Sequence, residues 1–420
     1  MDPRSPSADP EVQRLLSQAR LTPIHGEWLA ERERGLGERL SSLALRPANV
    51  LLVNATLGQT FYPAVVDFFL ALRRHCPGIV VKGASYFDEI HELSEDVSRR
   101  GLPVARVAEV LSWSTAELDR FDLILAIGPS EALALLMARE GLRSKLVLLD
   151  LGFYHQLIAS QPRFIAPLPD RPVKASTWPT GGLERRRDPI PAYTCQPFVK
   201  IESDLDVFFP RSKLALRRFT YIPLGFGRRE YYRASERVFD VALLGTDGRD
   251  YSLLDPSQLR GLRFLFLGAT ERAEGLEPLR GAGELTTIAR VDERDYGRLL
   301  ALCSLVVIPL HPARHNVLLS VVDALASGIP VVASRREGFD ELEREGAPIV
   351  FFAEEDRLDK RLESASPAHD LASTSLAGEI RRLVDRETER AELGERAIRF
   401  ARERLDIYRI LERIVEAELR

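Results

Sequence analysis

The chain has 420 residues, too many for one ordinary hydrophobic core, so two or three domains are expected. Hydrophobic residues make up 45% and charged residues 29%, the balance of a soluble globular protein. A net charge of −4 excludes the strongly basic balance of a nucleic-acid binder, and three dispersed cysteines (Cys76, Cys195, Cys303) without CxxC spacing imply neither a disulfide framework nor a zinc site.

Residues 1–46 read as an added N-terminal helical segment. "EVQRLLSQAR" and "EWLAERERGLGERLSSLAL" carry apolar residues at helical spacing, with a break near Leu21 to Gly26. The start lacks an apolar signal core, and no run reaches the ~18–20 apolar residues of a membrane span, so a cytoplasmic protein is expected.

From Ala48 the rhythm changes. The apolar runs "NVLLVNA", "GIVVKGAS", "FDLILAIGPS" and "KLVLLDLG" alternate with helical stretches, the pattern of βαβ units around a parallel sheet. The first βα loop holds Asn54, Thr56, Gly58 and Gln59 at the carboxyl edge, where such folds bind ligands; a plain turn is the alternative for Gly58. His155 follows the fourth run and can serve there as a base or positioner, or as a structural imidazole. Residues 160 to 200, rich in Pro, Gly and Arg, read as a long excursion: a flap or a surface loop. "RSKLALRRF", residues 211–219, is basic and apolar by turns, compatible with at most peripheral contact with an anionic membrane. "RFTYIPLGFGRREYYRASE" reads as a strand, a glycine turn and a linker.

A second alternating series begins at "RVFDVALLGTDGRDYSLL" and continues through "LRFLFLG", "LTTIARV", "CSLVVIPL", "GIPVVAS" and "APIVFF". Long charged helices end the chain. Within this series, "HPARHNVLLSVVDALASGIPVVAS" predicts a helix with Asn316 as N-cap and Val317, Leu318, Val321, Val322 and Leu325 on its buried face. Gly328 is placed to end it. Its first-turn N–H groups, at a carboxyl sheet edge, make an anion site. His315 and Asp323 stand eight residues apart, roughly 12 Å of helical rise, so they can touch opposite ends of one elongated ligand. A lone Asp on an apolar helix also serves structural networks.

The stretch from "YGRLLALCSLVVIPL" to "GFDELEREGAPIVFF" resembles the donor-domain core of GT-B glycosyltransferases, in the retaining group with the E-x7-E motif (glycosyl transferases group 1). "VVIPL" matches that group's strand, "VVDALASGIPVVAS" its helix and exit, and "GFDEL", with Gly338 and Glu341, its last element. His315 and Asp323 stand at the two Glu positions. The resemblance implies that Asp323 holds the donor ribose. His315 would sit near the donor sugar, where a neutral imidazole accepts at one nitrogen and a protonated one at neither. Arg314 beside it can face an acidic group on the donor. "FDVALLGTDGRD" resembles the domain's first strand, which implies that Gly245 lets the backbone approach the donor and Arg249 neutralises the leaving diphosphate; pairing of Arg249 with Asp247 or Asp250 is the alternative.

The fold implied is α/β, GT-B: two facing Rossmann-like domains with an inter-domain cleft and the added helical segment. The domains expected are an acceptor-side one over 47–235, a donor one over 236–400 and a terminal helix, 401–420, crossing back. The implied activity is transfer of a sugar from a nucleotide-diphosphate-sugar to an unknown acceptor (glycan, lipid-linked, protein or small molecule), retaining, with no metal and no cofactor beyond the donor. A GT-B-shaped scaffold that has lost catalysis and a nucleotide-sugar epimerase are the rival readings.

Overall fold

The computed structural model describes residues 10–54, 63–85, 104–127, 145–150, 191–194, 218–221, 225–226, 230–245, 249–268, 275–289, 291, 293–310, 318–335, 339–352 and 375–420. The chain forms two units. One comprises Met1–Glu27 with Arg229–Leu405, the other Trp28–Arg228 with Asp406–Arg420.

The chain starts with α1 (Pro10–Gln18), β1 (Leu21–Pro23) and α2 (Gly26–Ser42). The break between the helical stretches is thus a short strand. In the second unit, β2 (Ala48–Asn54), α3 (Pro63–His75), β3 (Ile79–Ser85), β4 (Val104–Arg106), α4 (Val107–Ser112), α5 (Thr115–Leu118), β5 (Leu123–Ile127), β6 (Lys145–Asp150), β7 (Pro191–Thr194) and β8 (Arg218–Tyr221) follow. The strands form a seven-stranded sheet in the order β4-β3-β2-β5-β6-β7-β8, with every pairing parallel. Val50 to Val53 and Leu123 to Ala126 are almost wholly buried on both faces, which is why these strands read as unbroken apolar runs rather than alternating ones. At the end of the expected 160–200 excursion, Pro191–Thr194 is a strand of this sheet. Four residues opening on proline carry no periodicity, although proline is tolerated as a strand's first residue.

The first unit resumes with β9 (Tyr232–Ala234), β10 (Val241–Leu244), β11 (Arg263–Leu267), α6 (Glu277–Ala282), β12 (Glu284–Ile288), α7 (Glu293–Ala301), β13 (Val306–Ile308), α8 (Leu318–Ala326), β14 (Val331–Ser334), α9 (Asp340–Arg344), β15 (Ile349–Phe352), α10 (Leu376–Asp385) and α11 (Glu387–Arg404). Its six-stranded sheet runs β12-β11-β10-β13-β14-β15, again all parallel. Counted within this sheet the order is 3-2-1-4-5-6, so the winding reverses between β10 and β13. Ligands of such sheets bind outside the carboxyl ends of the strands at that reversal. The core beneath one face packs Phe264, Phe266, Val307 and Val332 against Tyr251, Ile380 and Leu383. Cys303 is fully buried, as its apolar surroundings predict, and burial raises its thiol pKa.

β1 pairs antiparallel with β9, so the N-terminal arm belongs to this unit. The chain then closes in the second unit with α12 (Ile407–Leu419), capped by Asp406, whose carboxylate accepts from the Tyr408 N–H at 3.1 Å. No described helix is long and apolar enough to cross a membrane.

Candidate functional site

The site is built where the first unit's sheet reverses. β10 ends at Leu244, and Gly245 turns the chain with φ of +75°, a conformation that costs an L residue roughly 1–2 kcal/mol. Its N–H donates to Leu267 O at 2.9 Å and its carbonyl accepts from the buried Tyr251 hydroxyl. Burial raises the Tyr251 pKa, which keeps that hydroxyl protonated and donating.

Arg249 lies four residues on. It bridges antiparallel to Leu310, just past β13, and the Asp250 N–H donates to Pro309 O at 3.0 Å. The two loops that flank the reversal are therefore stitched together. The Arg249 side chain folds back over them: Nε donates to Leu244 O at 2.8 Å and Nη2 to Ser320 Oγ at 3.1 Å. A guanidinium carries five N–H donors in a fixed fork. These two bonds fix the plane of that fork between the end of β10 and the first turn of α8. Asp250 accepts from Ser252 N at 3.2 Å and caps a short 3-10 turn.

α8 itself is anchored at its far end. Gly328, with φ of +65°, follows the helix, its N–H donating to Leu325 O and that of Ile329 to Ala324 O, both at 3.0 Å. This paired arrangement is a Schellman motif, which satisfies the last-turn carbonyls. A Cβ on Gly328 would meet Ile398 Cδ1 at 2.7 Å, so glycine also permits the close packing of α8 on α11. Val321, Val322 and Leu325 are buried, as the apolar spacing predicts.

Asp323 projects from the middle of α8 and is 6% exposed. Its Oδ1 accepts from the Tyr231 hydroxyl at 3.2 Å. Tyr231 precedes β9 and is itself buried. Leu318 opens α8, and Glu341 lies on α9, beyond the end of β14. Gly58, His155, Arg314, His315, Asn316, Val317 and Gly338 lie outside the described residues.

The structure thus brings Gly245, Arg249, Leu318 and Asp323 to one loop-and-helix assembly at the switch point. Ser320 and Tyr231 join them without having been picked out in the sequence. Ser320 is one of several small residues in an apolar helix. Tyr231 stands 92 residues from Asp323, in a linker whose tandem tyrosines, "REYYRASE", are its only signal.

Residues 250–365 match the family model for glycosyl transferases group 1. That stretch contains β11 to β15 and the whole of α8. Among solved structures, Alr3699/HepE from Anabaena, determined in complex with UDP and glucose, is similar at 15% identity and a TM-score of 0.55, over 88% of this chain and 99% of its own. Sucrose-phosphate synthase from Thermosynechococcus elongatus is similar at 12% identity and 0.54, over 88% and 98%. A glycosyltransferase from Rickettsia africae is similar at 9% and 0.55, over 89% and 99%. No curated protein sequence matches the chain. The fold is that of the GT-B glycosyltransferases, with two Rossmann-like units, and the group 1 match falls on the unit that carries the site.

Proposed function

We propose that this chain is a glycosyltransferase that moves a sugar from a nucleotide-diphosphate-sugar to an acceptor, with retention and without a metal. The observation that carries the reading is Arg249, held by Leu244 O and Ser320 Oγ at the reversal of the sheet, inside a fold shared with a protein solved with UDP and glucose.

The chemistry follows from charge. Breaking the bond between sugar and diphosphate leaves negative charge on the phosphate oxygens. A pre-oriented guanidinium and the first-turn N–H groups of α8 stabilise that charge without reorganising, which is the largest kind of rate effect such a site supplies. Asp323 accepts hydrogen bonds from the ribose. The donor sugar is assigned to His315 and Arg314 by the resemblance of their stretch to the donor-domain core. Positioning supplies the rest of the rate.

The test is to incubate the chain with a panel of UDP-, GDP- and ADP-hexoses and follow release of nucleoside diphosphate and the anomer first formed. Slow donor hydrolysis needs no known acceptor. One donor should be consumed with retained configuration, and Arg249→Ala should lower its turnover about a hundredfold. Absence of both turnover and nucleoside diphosphate binding at millimolar concentration would refute the reading in favour of a scaffold.

A further inference from the structure

Asp323 sits at one end of a largely buried series of contacts whose other members, Tyr231, His25 and Arg402, have been given no part in the transfer chemistry. The other end is the N-terminal arm. Arg402, on α11, donates from Nε to His25 Nδ1 at 3.1 Å and from Nη2 to Ile24 O at 2.9 Å. With Nδ1 accepting, the imidazole proton belongs on Nε2, which donates to Ala326 O at 2.7 Å, a last-turn carbonyl of α8. His25 is 1% exposed, so its tautomer is set by these partners and not by water.

His25 in turn meets the ring of Tyr231 edge to face, with centroids 5.6 Å apart and planes at 86°. The Ile24 N–H donates to Tyr231 O at 2.9 Å, extending the β1–β9 pairing by one bond. The Tyr231 side chain is thus fixed at its backbone and at its ring before its hydroxyl reaches Asp323. The same imidazole touches the helix that carries Asp323. Both partners of the Tyr231–Asp323 bond are therefore referenced to one residue.

We infer that Tyr231 is a positioning residue for nucleotide recognition, aiming the Asp323 carboxylate at the ribose hydroxyls, and that the arm residue His25, clamped by Arg402, holds Tyr231 in place. This inference rests on the donor reading above, in which Asp323 contacts the ribose. A carboxylate offers about four acceptor positions, and a donor locked onto one oxygen fixes the direction of the others. Asp is one methylene shorter than the Glu of the resembled family, so its reach toward a ligand depends on this aim.

The experiment measures, by calorimetry, binding of UDP, GDP and ADP to wild type and to Tyr231→Phe, each against its 2′-deoxy and 3′-deoxy counterparts. Tyr231→Phe keeps the ring on His25 and removes only the hydroxyl. The inference predicts about tenfold weaker binding of the preferred ribonucleotide, with the deoxy counterpart changed less than about twofold, so that ribose selectivity collapses. Arg402→Lys, which loses the fork on His25 and Ile24, should show the same selectivity change more weakly. It also serves if Tyr231→Phe does not fold. Equal losses on both nucleotides, or unchanged selectivity in a folded variant, would each overturn the inference and leave the donor reading standing; a wild type that binds nucleoside diphosphate but ignores the ribose hydroxyls overturns the inference together with the ribose role of Asp323. A wild type that binds no nucleoside diphosphate at millimolar concentration overturns both.

Discussion

Asp323 and Asp406 are both buried aspartates on apolar helical segments, at 6% and 1% exposure, yet their surroundings differ in kind. Asp406 is closed in by its own unit. Arg32 Nη1 approaches Oδ1 at 3.3 Å, the Tyr408 N–H donates at 3.1 Å, and Arg409 lies 3.9 Å from Oδ2. The Arg32 guanidinium also lies over the Tyr408 ring, 4.0 Å from its centroid, and over Trp28 at 5.2 Å. Asp323 accepts from a neutral hydroxyl, on a helix that starts beside the sheet reversal. Burial of an acid therefore does not mark a site. The sheet position of its helix does: a carboxylate that caps a terminal helix and meets Arg32 is part of the frame, whereas one on the helix beside the sheet reversal is placed for ligand hydroxyls.

The largest effect that sharpens this contrast is Asp406→Ala. It strands the Arg32 charge and removes a helix cap, so urea denaturation should show a loss of about 3–5 kcal/mol. Nucleotide affinity of the folded fraction should be unchanged. Gly328→Ala comes next, at about 2–3 kcal/mol, because its positive φ and the contact with Ile398 both oppose a Cβ. It should also weaken nucleotide binding, since it displaces the end of α8; a variant as stable as wild type would break the account of how α8 is anchored.

Asp323→Asn reverses the pattern of Asp406→Ala. Asparagine still accepts from Tyr231, so the melting temperature should move little, while ribonucleoside diphosphate affinity falls about tenfold with the charge lost from a hydrogen bond. A variant destabilised as much as Asp406→Ala, with affinity intact, would erase the distinction.

The smallest effect is in pH. Burial, opposed by Arg32, lifts the Asp406 carboxyl above its ordinary value of 3.8. An acid whose pKa is raised by folding contributes stability that is full below its unfolded pKa and is lost as pH rises through the folded one. Wild type should therefore lose stability relative to Asp406→Asn as pH rises from about 3 into the range of the raised pKa. The opposite slope would mean that Arg32 outweighs burial.

The two aspartates also show how far the sequence could be read. "VVDALA" and "LDIYRI" look alike as acids in apolar helices, and only the first lies in a stretch resembling a known donor site. The buried parallel strands were legible, because strands covered on both faces become continuous apolar runs. The span of α8 was legible too, from its apolar spacing and the glycine that ends it. β1, β7 and β9 were not: three or four residues paired to distant ones carry no period. The His25–Arg402 bond joins residues 377 apart, and no local pattern encodes it. Local chemistry is written in spacing, and the bonds that aim it are set by tertiary contact.

A crystal structure of the chain with UDP tests the central claim most directly. The account predicts the diphosphate at the first turn of α8 within hydrogen-bond reach of Arg249, and the ribose hydroxyls on the Asp323 carboxylate. A diphosphate bound away from Arg249 and α8 would contradict it.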